Sequence, residues 1–244
     1  LRMDVTPAED GPAAGWFVWI GLQNTASLRA YPGGEAWVKL SVIGNRGADP
    51  HDHEHEDRGS FILEFAGEVF ALDPGIAEYS DPIHGLMKQC QYHNMLVPTG
   101  VSGRPRPTQP ITADITPEGA GDAETFRLRM DLTPGWEAYY RRWARTWESP
   151  APDQLTIREE FDLAQGDGVD HYWITRLPCV IENDQVRITG ARGPVTLDVP
   201  ADTTVRIDIM PGPEGDAYNR IAFHRRAPAG TLELRARLSL RQGI

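Results

Sequence analysis

The segment Thr231-Leu-Glu-Leu-Arg-Ala-Arg-Leu-Ser-Leu240 sets leucines at 232, 234, 238 and 240 against charged or hydroxyl residues at 231, 233, 235, 237 and 239. Side chains alternate across a strand with period two, so this is the pattern of a half-buried antiparallel strand. Outward from it, runs rich in Val, Ile, Leu, Phe and Trp recur between Gly, Pro, Asp and Asn punctuation, each too short for three helical turns. Candidate strands are Trp16 to Leu22, Ala36 to Ile43, Ser60 to Phe65, Val69 to Asp73, Thr125 to Asp131, Tyr139 to Trp147, Gln154 to Leu163, His171 to Arg176, Val186 to Thr189, Val195 to Val199 and Thr203 to Met210. A dozen strands without an amphipathic helix predict an all-β fold, a large antiparallel β-sandwich of two packed sheets, with a jelly-roll-like barrel as the alternative. Pro98 to Asp122, with five prolines and four glycines, has no periodicity and reads as a long surface connection.

The chain has 244 residues, 40% of them hydrophobic, enough for one large domain or two small ones. We expect lead-in or linker strands over 1–30 and the sandwich domain over 31–244. A net charge of -11 argues against nucleic acid or an anionic membrane as partner of the whole molecule, because the long-range field repels both. Apolar stretches such as Trp16-Phe-Val-Trp-Ile20 are too short to span a bilayer, and nothing at the start resembles a signal peptide. The sequence opens at Leu1 instead of a methionine, which suggests a segment of something longer. Cys90 and Cys179 are too few for a disulfide framework, and neither has a second thiol at metal-ligand spacing.

Three of the seven histidines fall within five residues, in His51-Asp-His53-Glu-His55-Glu-Asp57. On a strand, residues 53, 55 and 57 project to one face about 6 to 7 Å apart, so two imidazoles and a carboxylate converge. Those are ligands that divalent first-row metals prefer, and an open fourth position suits catalysis. The competing readings are a solvated acidic loop and a structural metal staple. A hairpin follows, Ser60-Phe-Ile-Leu-Glu-Phe65, a turn at Ala66-Gly67, then Glu68-Val-Phe-Ala-Leu-Asp73-Pro-Gly75. A two-residue loop at Ala66-Gly67 puts Asp73 on the face opposite the histidines, whereas a three-residue loop or a bulge at Gly59 returns it to their side.

The series His53-x-His55-x-Asp57-x-x-Ser60-Phe61, the Gly67-Glu68 turn, Asp73-Pro74-Gly75, Tyr79 and His93-Asn94 resembles the C-terminal domain of heparinase II/III-like polysaccharide lyases. The resemblance is dense over residues 36–97 and architectural beyond. It implies a lyase that cleaves uronic-acid polysaccharides by β-elimination, exported to the periplasm or secreted. It implies His55, Asp73 and His93 as ligands of a divalent metal, zinc above all, with His53 at the substrate cleft. Asp57 and Asn94 would support the ligands, and an N-terminal α/α-toroid domain would supply the rest of the site. The partner is then an acidic polysaccharide or oligosaccharide. In Tyr139-Tyr-Arg-Arg-Trp-Ala-Arg145, Arg142 and Arg145 are candidates, with Tyr79, for a groove that holds an anionic sugar. Two further readings fit part of the pattern. One is a cupin-type metal enzyme, whose H-x-H pair is followed by a glutamate where this chain has Gly59-Ser60; the other is a non-catalytic carbohydrate-binding or structural metal module.

Overall fold

The computed structural model describes residues 16–20, 24–45 and 55–241. Its strands, numbered along the chain, form three antiparallel sheets. The first is a meander of β1 (Trp16–Ile20), β2 (Asn24–Ala30), β3 (Trp37–Ile43), β4 (Phe61–Phe65) and β5 (Glu68–Ala71). After a short helix α1 (His84–Met87) and a 3-10 turn (Cys90–Tyr92) comes β6 (Leu96–Thr99). The edge strand β7 (Glu118–Gly121) opens the largest sheet, followed by β8 (Phe126–Asp131), β9 (Tyr140–Ala151) and β10 (Gln154–Leu163). The chain then crosses to β11 (Gly168–Thr175), which pairs with β6. It returns through β12 (Cys179–Glu182), β13 (Gln185–Thr189) and β14 (Pro194–Asp198) to the large sheet. Next, β15 (Thr204–Pro211) and β16 (Ala217–Arg225) join β11, and β17 (Ala229–Leu238) closes between β14 and β10.

The large sheet runs β12-β13-β14-β17-β10-β9-β8-β7 and the smallest β15-β16-β11-β6. The five- and four-stranded sheets make one continuous layer, because the Leu72 N–H just beyond β5 donates to Ile174 O on β11 at 2.8 Å. The expectation of two packed layers therefore stands, with one layer split into two sheets. Between the layers Phe61 of β4 meets Trp147 of β9 at 6.3 Å and Trp173 of β11 at 5.4 Å between ring centroids, edge to face. All three are buried, and burying rings of this size contributes about 2 kcal/mol each. In β17, Leu232, Leu234 and Leu238 face this core, as their period requires.

Five strands escaped the sequence pattern: β2, β6, β7, β12 and β16. In Asn24-Thr-Ala-Ser-Leu-Arg-Ala30 the alternating apolar positions are only two alanines and a leucine, yet the segment pairs residue for residue with β3. The segment from 98 to 122 is mostly irregular, as expected, but carries β7 and is pinned to the body. Asn45 Nδ2 donates to Ile111 O and Ala113 O, and Ile111 and Ile115 are buried. Among the described residues no helix is long and apolar enough to cross a membrane.

Candidate metal centre

The site gathers at the seam where β4, β5 and the connection into β6 meet. His55 does not lie on a strand, contrary to the reading from spacing: residues 55–60 form a turn that ends where β4 begins at Phe61. Gly59 makes that turn possible. Its φ of +89° suits glycine, and a Cβ there would sit 2.4 Å from the Leu132 side chain. The Gly59 N–H donates to Ile43 O at 2.7 Å. His51 and His53 lie outside the described residues.

Asp73 reaches the histidines by a route other than the two anticipated. The turn is the two-residue one, with Ala66 at φ 52° and Gly67 at φ 85°, which by itself turns Asp73 away. An irregularity in β5 reverses this. Glu64 pairs with Val69 but Leu63 with Ala71, so Phe70 is the extra residue of a bulge. Phe70 and Ala71 are consecutively buried as a result. Beyond the strand, Pro74 has no N–H, and the Asp73 carboxylate caps the next one: Oδ1 accepts from Gly75 N at 3.0 Å. That leaves Oδ2 aimed at His93, whose Nδ1 lies 3.0 Å away.

His93 follows the 3-10 turn, in extended conformation, and is fully buried. Its ring centroid is 5.5 Å from that of His55. Donor atoms of His55, Asp73 and His93 all lie within 4.8 Å of one another. Burial would lower His93, but the Asp73 charge and hydrogen bond outweigh it and hold the imidazole above its ordinary pKa. Burial would likewise raise Asp73, and His93 instead holds its carboxyl below the usual range. Partial burial pushes His55 down, toward the neutral form, against the opposing charge of Asp57. Two imidazoles and the Asp73 carboxylate form a donor set that suits zinc or a similar ion with a fourth position open. Such an ion would displace the proton that His93 and Asp73 share.

Asp57 and Asn94 hold the surroundings. The Asp57 carboxylate is bound by Arg58 at 2.5 Å, and its charge acts on both imidazoles. Asn94 Nδ2 donates to Phe61 O at 2.6 Å and to Leu72 O at 3.1 Å, while Oδ1 accepts from Ile174 N at 2.7 Å. One amide thus fixes the start of β4, the residue before Asp73 and the edge of β11. A cupin-type centre takes a glutamate shortly after its H-x-H pair, whereas the third donor here is Asp73.

Of the proposed groove residues, Arg145 is corrected. It is fully buried, ion-paired to Glu159, and donates to Gly59 O and to Asn94 O at 2.7 Å. Its guanidinium sits 5.6 to 5.7 Å from the ring centres of Phe61, Trp143 and Trp147. Trp143, Arg145 and Trp147 share strand parity, so the tryptophans already marked that face as core. Arg142 lies on the outer face, its side chain 62% exposed, paired with Glu160. Tyr79 is 71% exposed and stacks on His84 at 4.6 Å. The sequence reading missed the buried partners of Arg145: Glu159 also accepts from Trp143 Nε1 at 2.9 Å and pairs with His171 Nδ1 at 2.9 Å.

Residues 3–229 match the family described as Heparinase II/III-like, C-terminal. None of the curated proteins matches the chain. Among solved structures it superposes on a heparinase III gene product with TM-score 0.71 at 10% identity, covering 92% of this chain and 35% of that one. Heparan sulfate lyase HepC from Pedobacter heparinus gives 0.69 at 14% identity, covering 91% and 36%. A further heparinase III gives 0.69 at 12%, covering 94% and 37%. At such identities the likeness is one of fold, and the chain spans about a third of each of those structures.

Proposed function

Since the chain belongs to the heparinase II/III-like family through its C-terminal domain, we propose that it is the metal-bearing β-sandwich part of a polysaccharide lyase acting on uronic-acid polymers. The observation that carries this reading is the convergence of His55, Asp73 and His93 on one point from three separate stretches of chain. A bound divalent ion, zinc by preference, would supply fixed positive charge at the edge of the cleft.

β-Elimination asks for neutralisation of the uronate carboxylate to acidify C5, a base for that proton, and an acid for the departing oxygen. This chain supplies part of that. The turn of residues 55–60, held by the Arg145 bond to Gly59 O, orients His55, and His53, two residues earlier in the sequence, is the proposed contact with substrate. Asp73 holds His93, and Asn94 holds both segments in register. The remaining acid and base groups come, in this proposal, from an N-terminal helical toroid of the same protein, with the polymer lying between the two domains. The protein would work in the periplasm or outside the cell.

The test is elemental analysis of the purified chain beside a His55→Ala variant. We expect about one zinc or similar ion per chain, lost in the variant, and no turnover of uronate polymers by either protein alone. A chain without metal in both forms, with unchanged stability, would remove the lyase-type centre and leave a structural module.

A further inference from the structure

A cleft of about 490 Å³ opens between the segment of residues 106–109 and Tyr139, with Glu56 on its wall. Its charge is decided by which side chains are already engaged. Glu56 is held by both nitrogens of the Arg104 guanidinium and accepts the Cys90 N–H at 3.0 Å. Arg106 is exposed on the same wall and has no ion-pair partner among the described residues. On the outer face of the large sheet Arg127, Arg129 and Arg141 are instead paired with Glu148, Glu160 and Asp162, although Arg187 and Arg237 there are exposed without an ion pair among the described residues.

Arg106 also projects from a fixed backbone. Pro105 and Pro107 on either side are buried, and the Thr108 N–H donates to Gly135 O at 2.6 Å. Opposite, the half-buried Tyr139 ring is braced by Trp136 at 6.1 Å between centroids. The cleft adjoins the metal centre, because Gln109 Nε2 donates to His55 O at 3.4 Å. It therefore combines one free guanidinium, a hydroxyl and an amide for sugar hydroxyls, and an amphipathic ring. That set suits a sugar unit bearing one negative group.

We propose that this cleft is a binding subsite for a carboxylate-bearing sugar unit next to the metal centre, with Arg106 holding the carboxylate and Tyr139 the sugar ring. The identity of the ligand rests on the lyase reading; the existence of an anion-selective cleft does not. The experiment is calorimetric titration of a mannuronate tetrasaccharide into the zinc-loaded chain and its Arg106→Ala, Arg106→Lys and Tyr139→Ala variants, with metal content and unfolding midpoint measured on each. The wild type binds, and Arg106→Ala weakens binding about tenfold or more, as loss of a charged hydrogen bond does. Arg106→Lys falls between, Tyr139→Ala weakens binding further, and metal content is unchanged throughout. No binding by the wild type, equal affinity in Arg106→Ala, or equal affinity for the carboxyl-reduced, neutral tetrasaccharide each overturns the proposal. Arg106-dependent binding by a chain that holds no metal keeps the subsite and removes the lyase reading. Metal without uronate binding does the reverse.

Discussion

Asn94 is the residue with the widest reach for its size. Its amide serves Phe61, Leu72 and Ile174, and its own backbone N–H donates to Ser60 Oγ at 3.2 Å. Replacing it with alanine leaves backbone groups of three strand segments without partners, at about 1 to 3 kcal/mol for each one buried. We expect Asn94→Ala to lose about 3 kcal/mol in urea unfolding, and its affinity for zinc to fall about tenfold, the usual effect of removing a support behind metal ligands. Unchanged zinc affinity in a folded variant would limit Asn94 to a role in packing. The resemblance pointed to this residue, but only the three-way bond pattern says what it does.

At the scale of elements, the β4–β5 hairpin determines whether the site exists. A tight turn and a bulge act in opposite senses on side-chain parity, and their combination brings Asp73 to His93. The turn itself is not optimised, since Ala66 holds a φ of 52° that favours glycine and asparagine. Ala66→Asn should stabilise the protein by roughly 0.5 kcal/mol, the lower end of such substitutions, without altering metal content. Thermal unfolding of the two proteins measures this, and a destabilised variant would mean that the turn type is misassigned. The bulge was illegible because Phe70 and Ala71 are both apolar and read equally well as a regular buried strand.

Across the whole molecule the two layers share one buried polar network: Arg145 and Glu159 from the large sheet, His171 from the opposite layer. Burial would raise the Glu159 carboxyl, yet Arg145 and His171 hold it down at about 2, against 4.5 in an unfolded chain. Burial also pushes His171 below its ordinary 6.5 despite Glu159. Both depressed groups take up protons more readily when unfolded, so the stability that these two contribute is fully present near neutrality and declines as pH falls below about 6.5. The Glu159 part is lost progressively between 4.5 and about 2 and amounts to about 3 kcal/mol at 1.36 kcal/mol per unit. Urea midpoints followed by tryptophan fluorescence should trace this decline, with a shallower slope in Glu159→Gln. A flat profile from pH 7 to 4 would refute the network's contribution.

By itself the sequence determined what depends on local order: the all-β class from period-two runs such as Thr231 to Leu240, the family from its H-x-H, D-P-G and H-N motifs, and three residues that prove to be neighbours. It mispositioned what depends on sheet pairing. Strands such as β6 and β16 exist because neighbours supply their hydrogen bonds and burial, not because their own residues alternate. Arg145, cationic and flanked by aromatic residues, looked like a surface ligand, yet Glu159 and two carbonyls make its burial tolerable. The charge state of a wall such as that around Glu56 and Arg106 is equally invisible in sequence. Which arginine is paired and which is free is settled only when segments 56, 104 and 106 meet in space.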